Sequence, residues 1–301
     1  MQLFVTGGTG FIGRNLVRVL RNEGHQVVVA AGRRKSHPPP PETVAVTLPD
    51  SPSGIAEFFR KNHFDGVIHL ATRFLGGRPT PEQAEELIED NVLFGSRIVN
   101  GAASAGVRWV LNLGTYWQSF DGIGFDPVNF YAATKQAFED IAAPFWKNGD
   151  INYASLYICD TYGPGDTRPK ILNLWENLRH TGGSLAMSGG EQRLNLLHVD
   201  DVVSGIVLLA GRLNAGEVAA GSRFKLEASR LISLRELARC FETAAGCQLD
   251  LRWGERPPRQ REIMQPKFPA APLPGWSQQI DLETGLKEFL AAAERERRNH
   301  V

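Results

Sequence analysis

The chain opens with a short apolar run that is followed by apolar positions at helical spacing. Residues 2–6 (QLFVT) end at a glycine pair, and residues 11–22 then place Ile12, Leu16, Val19 and Leu20 on one helical stripe. A second run of β-branched residues follows at 26–31 (QVVVAA), after Gly24. This order predicts a strand, a turn, a helix and a second strand parallel to the first, which is a βαβ unit.

Similar apolar runs recur along the first half of the chain, at 66–71, 107–113 and 153–159, and helix-like sequence separates them. This alternation predicts an α/β fold with a doubly wound parallel sheet of the Rossmann type. Glycine and proline become frequent after residue 163, and helical patterns follow at 200–213, 233–245 and 281–298. We therefore expect a dinucleotide-binding domain over 1–160 plus roughly 195–215, and a smaller interleaved α/β substrate domain over the rest of 161–301.

Composition and charge exclude several classes of protein. The 301 residues carry 33 basic and 33 acidic side chains, so no net charge attracts nucleic acid or an anionic membrane. The longest nearly apolar stretch, 202–210, is far shorter than the roughly 20 residues that cross a bilayer. The three cysteines form no CxxC pair and the histidines form no HExxH motif, which predicts no metal site. We expect a soluble, cytoplasmic protein.

A glycine-rich segment connects the first strand to the first helix. Gly7, Gly10 and Gly13 in TGGTGFIG match the spacing of a dinucleotide-binding turn. Such a turn lets the backbone approach a pyrophosphate, while the helix N-terminus supplies unpaired N–H groups and a positive dipole end. The alternative is an ordinary glycine-rich turn between a strand and a helix. The binding interpretation makes these glycines, with the adjacent Phe11 and Ile12, cofactor-binding residues.

The residues after the second strand bear on which cofactor binds. NAD sites usually place an acidic residue about 20 positions after the turn, where it accepts hydrogen bonds from the ribose. Here that place holds Ala31 and Gly32, and Arg33, Arg34 and Lys35 follow directly. Guanidinium groups bind a 2′-phosphate through paired hydrogen bonds, whereas a carboxylate repels it. This pattern predicts NADP(H) bound by Arg33 and Arg34. The alternative is a solvated basic patch.

A tyrosine and a lysine lie four residues apart in YAATK. On a helix, Tyr131 and Lys135 share one face, so an ammonium lies beside a phenol. A nearby positive charge favours the phenolate, which makes the tyrosine a usable acid or base near neutral pH. The pair follows the apolar run 107–113, which leads into Gly114, Thr115 and Tyr116.

Six segments in this order resemble the motifs of one family, the extended short-chain dehydrogenases/reductases. The segments are TGGTGFIG, DGVIHLAT, NVLFGS, YAATK, TYGPGD and HVDDVV. The resemblance implies that Tyr131 is the acid/base, that Lys135 orients it and the cofactor ribose, and that Thr115 binds the substrate oxygen; a loop-capping threonine is the alternative for Thr115. It also implies that Leu70, Ala71 and Thr72 line the cofactor, and that Asn91 is structural rather than catalytic.

Departures from the family pattern narrow the range of reactions that we expect. In the dehydratases the corresponding threonine precedes an Asp-Glu pair, whereas here Thr115 precedes Tyr116 and Trp117, which disfavours dehydration. An epimerase retains its nicotinamide, usually NAD, so the basic pair Arg33 and Arg34 favours a reductase. The chain most resembles the subgroup that reduces the 4-keto group of deoxysugars linked to CDP or dTDP. The alternatives are a nucleotide-sugar 4-epimerase, a reductase of a small non-nucleotide ketone, and a non-catalytic NADP sensor.

Substrate contacts are expected mainly in the second domain. The family commonly has asparagine where Asp160 stands. Its diphosphate-binding arginine usually stands where this chain has Leu194, one residue after Arg193. Arg259 and Arg261 are further candidates for phosphate contacts, with a solvated loop as the alternative. The expected partners are a nucleotide sugar and, in a homodimer, a second copy bound through the helices near Asn91 and Tyr131. The predicted substrate residues are Thr115, Tyr116, Asp160, Lys170, Asn173, Arg193 and Arg256.

Overall fold

A computed structural model describes residues 1–32 and 38–298. Its strands are β1 (Gln2–Thr6), β2 (Gln26–Ala30), β3 (Val44–Val46), β4 (Gly66–His69), β5 (Trp109–Thr115), β6 (Asn152–Ile158), β7 (Asp160–Tyr162), β8 (Ser184–Met187), β9 (Arg193–Leu194), β10 (Leu196–His198), β11 (Ser222–Lys225), β12 (Ile232–Ser233), β13 (Asp250–Trp253) and β14 (Ala271–Pro272).

The helices alternate with these strands through the first half of the chain. They are α1 (Phe11–Asn22), α2 (Pro52–Asn62), α3 (Pro81–Ile88), α4 (Phe94–Ser104), α5 (Phe130–Lys147), α6 (Ile171–Thr181), α7 (Val199–Asn214), α8 (Leu234–Ala245) and α9 (Leu282–Arg298). A π-helical turn, Glu89–Leu93, joins α3 to α4, and a 3₁₀ turn, Tyr116–Gln118, follows β5. No helix in the described ranges has the length and apolar character needed to cross a bilayer.

The central sheet has eight parallel strands in the order β14-β11-β6-β5-β4-β1-β2-β3. The chain builds β1 to β3 outward, then returns to the other side of β1 with β4, so the strand order reverses beside β1. Ligands of open α/β sheets bind at the carboxyl ends of strands beside such a reversal. The predicted doubly wound α/β fold is confirmed.

The chain divides into two compact units. Unit 1 comprises Met1–Ile158, Val203–Leu226 and Lys267–Trp276, and unit 2 comprises Cys159–Val202, Glu227–Pro266 and Ser277–Val301. The sequence predicts a return to the first domain at 195–215. Unit 1 instead regains 203–226 and 267–276, because β11 and β14 extend its sheet beyond β6.

Apolar side chains from strands and helices fill the core of unit 1. Phe4 on β1 lies edge-to-face with Phe59 of α2 at 5.2 Å, and both rings are buried. Helix α1 buries Leu16 and Leu20 of the predicted stripe together with Val17, whereas Ile12 and Val19 are only partly buried. Every residue of β1 after Gln2 and every residue of β4 is buried, which explains why the central positions of these strands are consecutively apolar instead of alternating.

Unit 2 has its own core, built mainly from helices. Trp175 of α6 packs against Phe241 of α8 at 5.6 Å, and Leu286 of α9 is buried in the same cluster. Two parallel strand pairs, β7 with β10 and β8 with β13, and the antiparallel pair of β9 with β12 flank these helices. The predicted helices at 233–245 and 281–298 correspond to α8 and α9.

Candidate active site

The glycine turn between β1 and α1 is too tightly packed for side chains. Gly7 has a φ of +70°, and a Cβ there would lie 2.6 Å from the backbone nitrogen of Ala71. A Cβ on Gly13 would lie 2.1 Å from the carbonyl oxygen of Gly7. The Gly10 N–H donates to that same oxygen at 3.0 Å, which closes the turn. The sequence therefore needs glycine at Gly7 for conformation and at Gly13 for space.

This turn fits the diphosphate of a dinucleotide. Gly10 is the N-cap of α1, no side chain caps the helix, and its first turn holds no acidic residue. Within this first turn, the N-terminal N–H groups and the positive end of the helix dipole thus meet no competing carboxylate. Phe11 is buried at the start of the helix and Ile12 is partly buried.

The end of β4 lies directly against the turn. The Leu70 N–H donates to the Thr6 carbonyl oxygen at 3.1 Å, and the Ala71 N–H donates to Thr6 Oγ1 at 3.2 Å. Thr72 Oγ1 donates to Asn91 Oδ1 at 3.2 Å. Of the three residues predicted to line the cofactor, Leu70 and Ala71 therefore stand beside the glycine turn, and Thr72 follows them. Arg33, Arg34 and Lys35 lie outside the described residues.

Thr115 is the last residue of β5, at the carboxyl edge of the sheet. Its backbone N–H donates to Gln118 Oε1 at 2.9 Å, and its Oγ1 accepts a hydrogen bond from the Trp117 N–H at 3.4 Å. Thr115 therefore does cap the following 3₁₀ turn, as its alternative interpretation predicts. Because accepting a hydrogen bond leaves the hydroxyl proton available, the cap does not prevent donation to a substrate oxygen.

Tyr131 and Lys135 occupy the first two turns of α5. The helix begins at a cap in which Asn129 Oδ1 accepts from the Ala132 N–H at 2.9 Å. Tyr131 is 8% exposed and Lys135 is 3% exposed. The tyrosine ring lies edge-to-face with Phe74 at 5.1 Å and with Trp117 at 6.4 Å. An apolar environment of this kind strengthens the effect of a nearby charge on the phenol.

Burial also changes the pKa of Lys135. Desolvation lowers the pKa of Lys135 to about 8, and the charge of Glu139, one turn further along α5, acts in the opposite direction. The Lys135 ammonium makes no hydrogen bond or ion pair with any side chain in the described part of the chain. Its three donors are therefore available to a bound hydroxyl, such as those of a ribose.

Asn91 joins the β4 loop to the tyrosine turn. Its Oδ1 accepts from the Arg73 N–H at 2.7 Å, and its Nδ2 donates to Thr134 Oγ1 at 2.9 Å. Thr134 Oγ1 in turn donates to the Tyr131 carbonyl oxygen at 2.7 Å. Asn91 is buried in the π-helical turn. These bonds give it the structural role that the sequence analysis expects.

Three residues at this site are absent from the sequence analysis. Gln118 and Glu139 are buried polar side chains linked to Thr115, and Phe74 is an aromatic neighbour of Tyr131. The position of Glu139, four residues after Lys135, is a signal that spacing alone contains. Gln118 follows Thr115 at the Thr-x-x-Gln spacing of a capping box, which is a second local signal. Nothing in the local sequence places Phe74 beside Tyr131, because that contact depends on how the loop after β4 folds.

Three of the predicted substrate residues in unit 2 lie close to one another. Asp160 Oδ1 pairs with Lys170 Nζ at 3.4 Å, and Asn173 Nδ2 donates to the Arg168 carbonyl oxygen at 2.9 Å. Arg168 forms a two-point contact with Asp166, with distances of 2.7 and 2.8 Å. The Asn173 amide thus has a structural partner in the loop that leads into α6.

The remaining predicted substrate residues of unit 2 lie elsewhere. Arg193 is exposed on β9, whereas Leu194 packs against the core of unit 2. Alternate residues of a strand face opposite sides, so the side chain at Leu194 points inward and Arg193 points away from it. Arg256, Arg259 and Arg261 are exposed. The backbone N–H of Arg256 donates to the Met187 carbonyl oxygen at 3.0 Å.

The chain is similar to known proteins over most of its length. Residues 3–221 match the model of the family described as the NAD dependent epimerase/dehydratase family. The CDP-abequose synthase of Salmonella typhimurium is 24% identical over 299 residues, which covers 96% of this chain and 97% of that protein. The predicted family is confirmed.

Solved structures share the fold. The UDP-glucose 4-epimerase of Thermotoga maritima, solved with UDP-glucose, has a TM-score of 0.84 at 19% identity and covers 99% of this chain and 100% of its own. The dTDP-glucose 4,6-dehydratase DesIV of Streptomyces venezuelae, solved with NAD bound, has a TM-score of 0.84 at 22% identity, covering 99% and 98%. At these identities the likeness concerns the fold, which serves more than one reaction.

Proposed function

We propose, since the chain belongs to the NAD dependent epimerase/dehydratase family, that it is an NADPH-dependent reductase of the 4-keto group of a nucleotide-linked deoxysugar. One observation carries the choice of reaction. The two residues after Thr115 are Tyr116 and Trp117, and the Trp117 ring flanks Tyr131 together with Phe74. The two positions that follow Thr115 are therefore aromatic and supply no carboxylate.

This aromatic surround supports a reductase and disfavours elimination of water. Elimination requires a second acid and base that move protons at neighbouring sugar carbons. Neither a tyrosine ring nor an indole supplies a carboxylate at that position. Aromatic rings instead exclude water, which protects a hydride transfer, and they pack against the apolar face of a sugar. A 6-deoxy sugar presents a methyl group there, where a hexose presents a hydroxyl that needs a hydrogen bond.

Each proposed catalytic residue has a defined role. The Tyr131 hydroxyl donates its proton to the carbonyl oxygen as that oxygen becomes negative. The Thr115 hydroxyl donates a hydrogen bond to the same oxygen, which stabilises the developing charge. The Lys135 ammonium lowers the pKa of the phenol and binds the ribose hydroxyls. NADPH, when bound at the glycine turn, supplies the hydride.

The decisive experiment offers the protein NADPH with matched substrates. We expect a fall in cofactor absorbance with CDP- or dTDP-linked 4-keto-6-deoxy sugars, and none with free ketones. Interconversion of UDP-glucose and UDP-galactose without net cofactor consumption would identify a 4-epimerase. NADPH consumption with small ketones alone would identify the non-nucleotide reductase. Cofactor binding without turnover on any of them would identify the sensor.

The choice of NADP(H) over NAD is the part of the proposal that depends on the sequence. Arg33 and Arg34 follow the neutral pair Ala31 and Gly32, which suits a 2′-phosphate. The dehydratase neighbour was solved with NAD, so NAD is the alternative cofactor that the test must distinguish.

Changing both arginines to serine tests the cofactor preference. We expect the Kd for NADPH to rise about 10²- to 10⁴-fold, because the double variant removes at least two charged hydrogen bonds of about 1.5–3 kcal/mol each. The Kd for NADH should stay unchanged. Cofactor fluorescence measures both, and Lys61→Ser, which removes an exposed charge from α2, is the control. Equal loss for both cofactors, or a parent protein that prefers NADH, would refute the assignment.

We also propose a homodimer formed through the helices around Asn91 and Tyr131. Ile88 and Leu93, before and within the π-helical turn, and Ile141 of α5 are between 42% and 47% exposed. Ile141→Asp is expected to halve the mass measured by light scattering, because an interface core does not accept an unpaired carboxylate. Ile123→Asp, at a loop position that is 88% exposed, should leave the mass unchanged. A monomeric parent would contradict this proposal.

A further inference from the structure

A buried polar cluster connects the lysine helix to the strand that carries Thr115. At its centre is Glu139 of α5, which is 3% exposed. One carboxylate oxygen accepts a hydrogen bond from the Tyr157 hydroxyl at 2.6 Å, and the other accepts from Gln118 Nε2 at 3.1 Å. Arg223 Nε lies 3.7 Å from the carboxylate. A carboxylate with this many partners is a fixed element of the structure, because burial without partners is costly.

The orientation of the Gln118 amide follows from its neighbours. Its Oε1 accepts from the Thr115 backbone N–H, which can only donate, so its NH₂ group must point the other way. That NH₂ group donates to Glu139 Oε1 and to Gln136 Oε1 at 3.0 Å. Every hydrogen-bonding group of the fully buried amide is therefore used. The chain of bonds runs from the carboxylate to the backbone of the proposed catalytic threonine.

The same carboxylate acts on Lys135 through charge. The two residues are one helical turn apart on one face of α5 and are both almost fully buried. Burial raises the pKa of Glu139, whereas Lys135 and Arg223 act to lower it. Burial lowers the pKa of Lys135, and Glu139 acts to raise it. Each charge thus offsets part of the desolvation penalty of the other, although the two groups do not form a direct ion pair.

Other charged or titratable groups around the lysine do not replace this carboxylate. His69 of β4 is fully buried, and burial with the nearby Lys135 charge lowers its pKa to about 3, so it stays neutral in any practical assay. Burial raises the pKa values of Tyr153 and Tyr157 on β6, so both stay protonated. Arg223 of β11 is cationic, so it cannot act as a counter-charge for Lys135.

We propose that Glu139 and Gln118 are positioning residues of the active site, in which Glu139 keeps the Lys135 ammonium charged and Gln118 fixes the strand end that carries Thr115. The inference rests on the proposed function, since it assigns the two residues to support of the Tyr131 reaction. Neither residue touches the substrate. Glu139 acts through Lys135, and Gln118 acts through the Thr115 backbone.

Glu139→Gln tests the proposed electrostatic role of Glu139, because the amide keeps the shape of the side chain and removes its charge. Lys135 then loses its counter-charge, so its pKa falls and the alkaline limb of the pH–kcat profile moves to lower pH by about one unit. Asp140→Asn is the matched control. It removes the same charge from the next residue of α5, but Asp140 is exposed and water screens it. The control should leave the alkaline limb in place.

A second measurement is independent of turnover. NMR titration of the lysine Cε resonance, assigned by its loss in Lys135→Met, reports the Lys135 pKa directly. We expect a lower pKa in Glu139→Gln and an unchanged one in Asp140→Asn. An unchanged Lys135 pKa in Glu139→Gln overturns the electrostatic role. A lowered pKa in a protein that reduces no 4-keto sugar leaves this role intact and refutes the proposed function instead.

Gln118→Met tests the positioning half. It keeps the volume but removes the bond to the Thr115 N–H, so kcat should fall about 10-fold while the Kd for NADPH stays unchanged. Gln118→Glu keeps the acceptor for the Thr115 N–H but places a second carboxyl group beside Glu139, so it should recover kcat only toward acidic pH, where that group is protonated and can donate to Glu139. Equal kcat in Gln118→Met and the parent, or a matching loss of cofactor affinity, overturns this role. The melting temperature of each variant reports whether the fold persists.

Discussion

Replacing Tyr131 by phenylalanine is expected to lower kcat about 10²- to 10⁴-fold, because the proton donor to the substrate oxygen is lost. The ring contacts with Phe74 and Trp117 do not involve the hydroxyl, so phenylalanine retains them. The melting temperature and the Kd for NADPH should therefore change little. Steady-state kinetics, thermal unfolding and cofactor fluorescence on the same preparation separate these effects.

The control for this variant removes a hydroxyl from another buried tyrosine. Tyr162 is 3% exposed and lies in the core of unit 2, where its ring contacts His198 at 5.6 Å. Tyr162→Phe removes the same single atom and should leave kcat near that of the parent. Near-normal turnover in Tyr131→Phe would refute the assignment of the acid. A loss of similar size in both variants would point to a general sensitivity of the fold.

Replacing Gly13 by alanine is expected to weaken cofactor binding about 100-fold. The new Cβ would lie 2.1 Å from the Gly7 carbonyl oxygen and 2.6 Å from Gly8 Cα, so the backbone of the turn must move. Such overpacking costs up to about 3 kcal/mol, and the displaced turn no longer presents its N–H groups to a diphosphate. Cofactor fluorescence titration measures the change in Kd.

Gly211→Ala provides the comparison. Gly211 also lies in a helix, α7, but nothing lies within 4 Å of the position that its Cβ would take. Alanine there should raise the free energy of unfolding by up to about 1 kcal/mol, because alanine favours helix more than glycine does. Its cofactor affinity should equal that of the parent. If Gly13→Ala bound NADPH as tightly as Gly211→Ala, the glycine turn would not be the diphosphate site.

The parallel sheet could be predicted because its strands are buried on both faces. Such strands are uniformly apolar and stand out from the amphipathic helices between them, as 66–71 and 153–159 illustrate. The same reasoning did not identify two strands of this sheet, β11 and β14. β11 (SRFK) and β14 (AP) are short, lie toward one edge of the sheet and are polar or irregular in sequence. Their membership follows from pairing with β6 and with each other, which is a non-local contact.

In the candidate site, too, local features could be predicted from the sequence and contacts between distant segments could not. The spacing of Tyr131 and Lys135 along the chain determined that they share a helix face. The order of a strand, three glycines and a helix determined the turn after Thr6. Both are local properties of the backbone. Only the tertiary structure decided that Gln118 Nε2 donates to Glu139 and that Tyr157, from a different strand, donates to the same carboxylate. Hydrogen bonds between segments distant in the chain leave no periodic signal, since they depend on which side chains the packed strands and helices bring within reach.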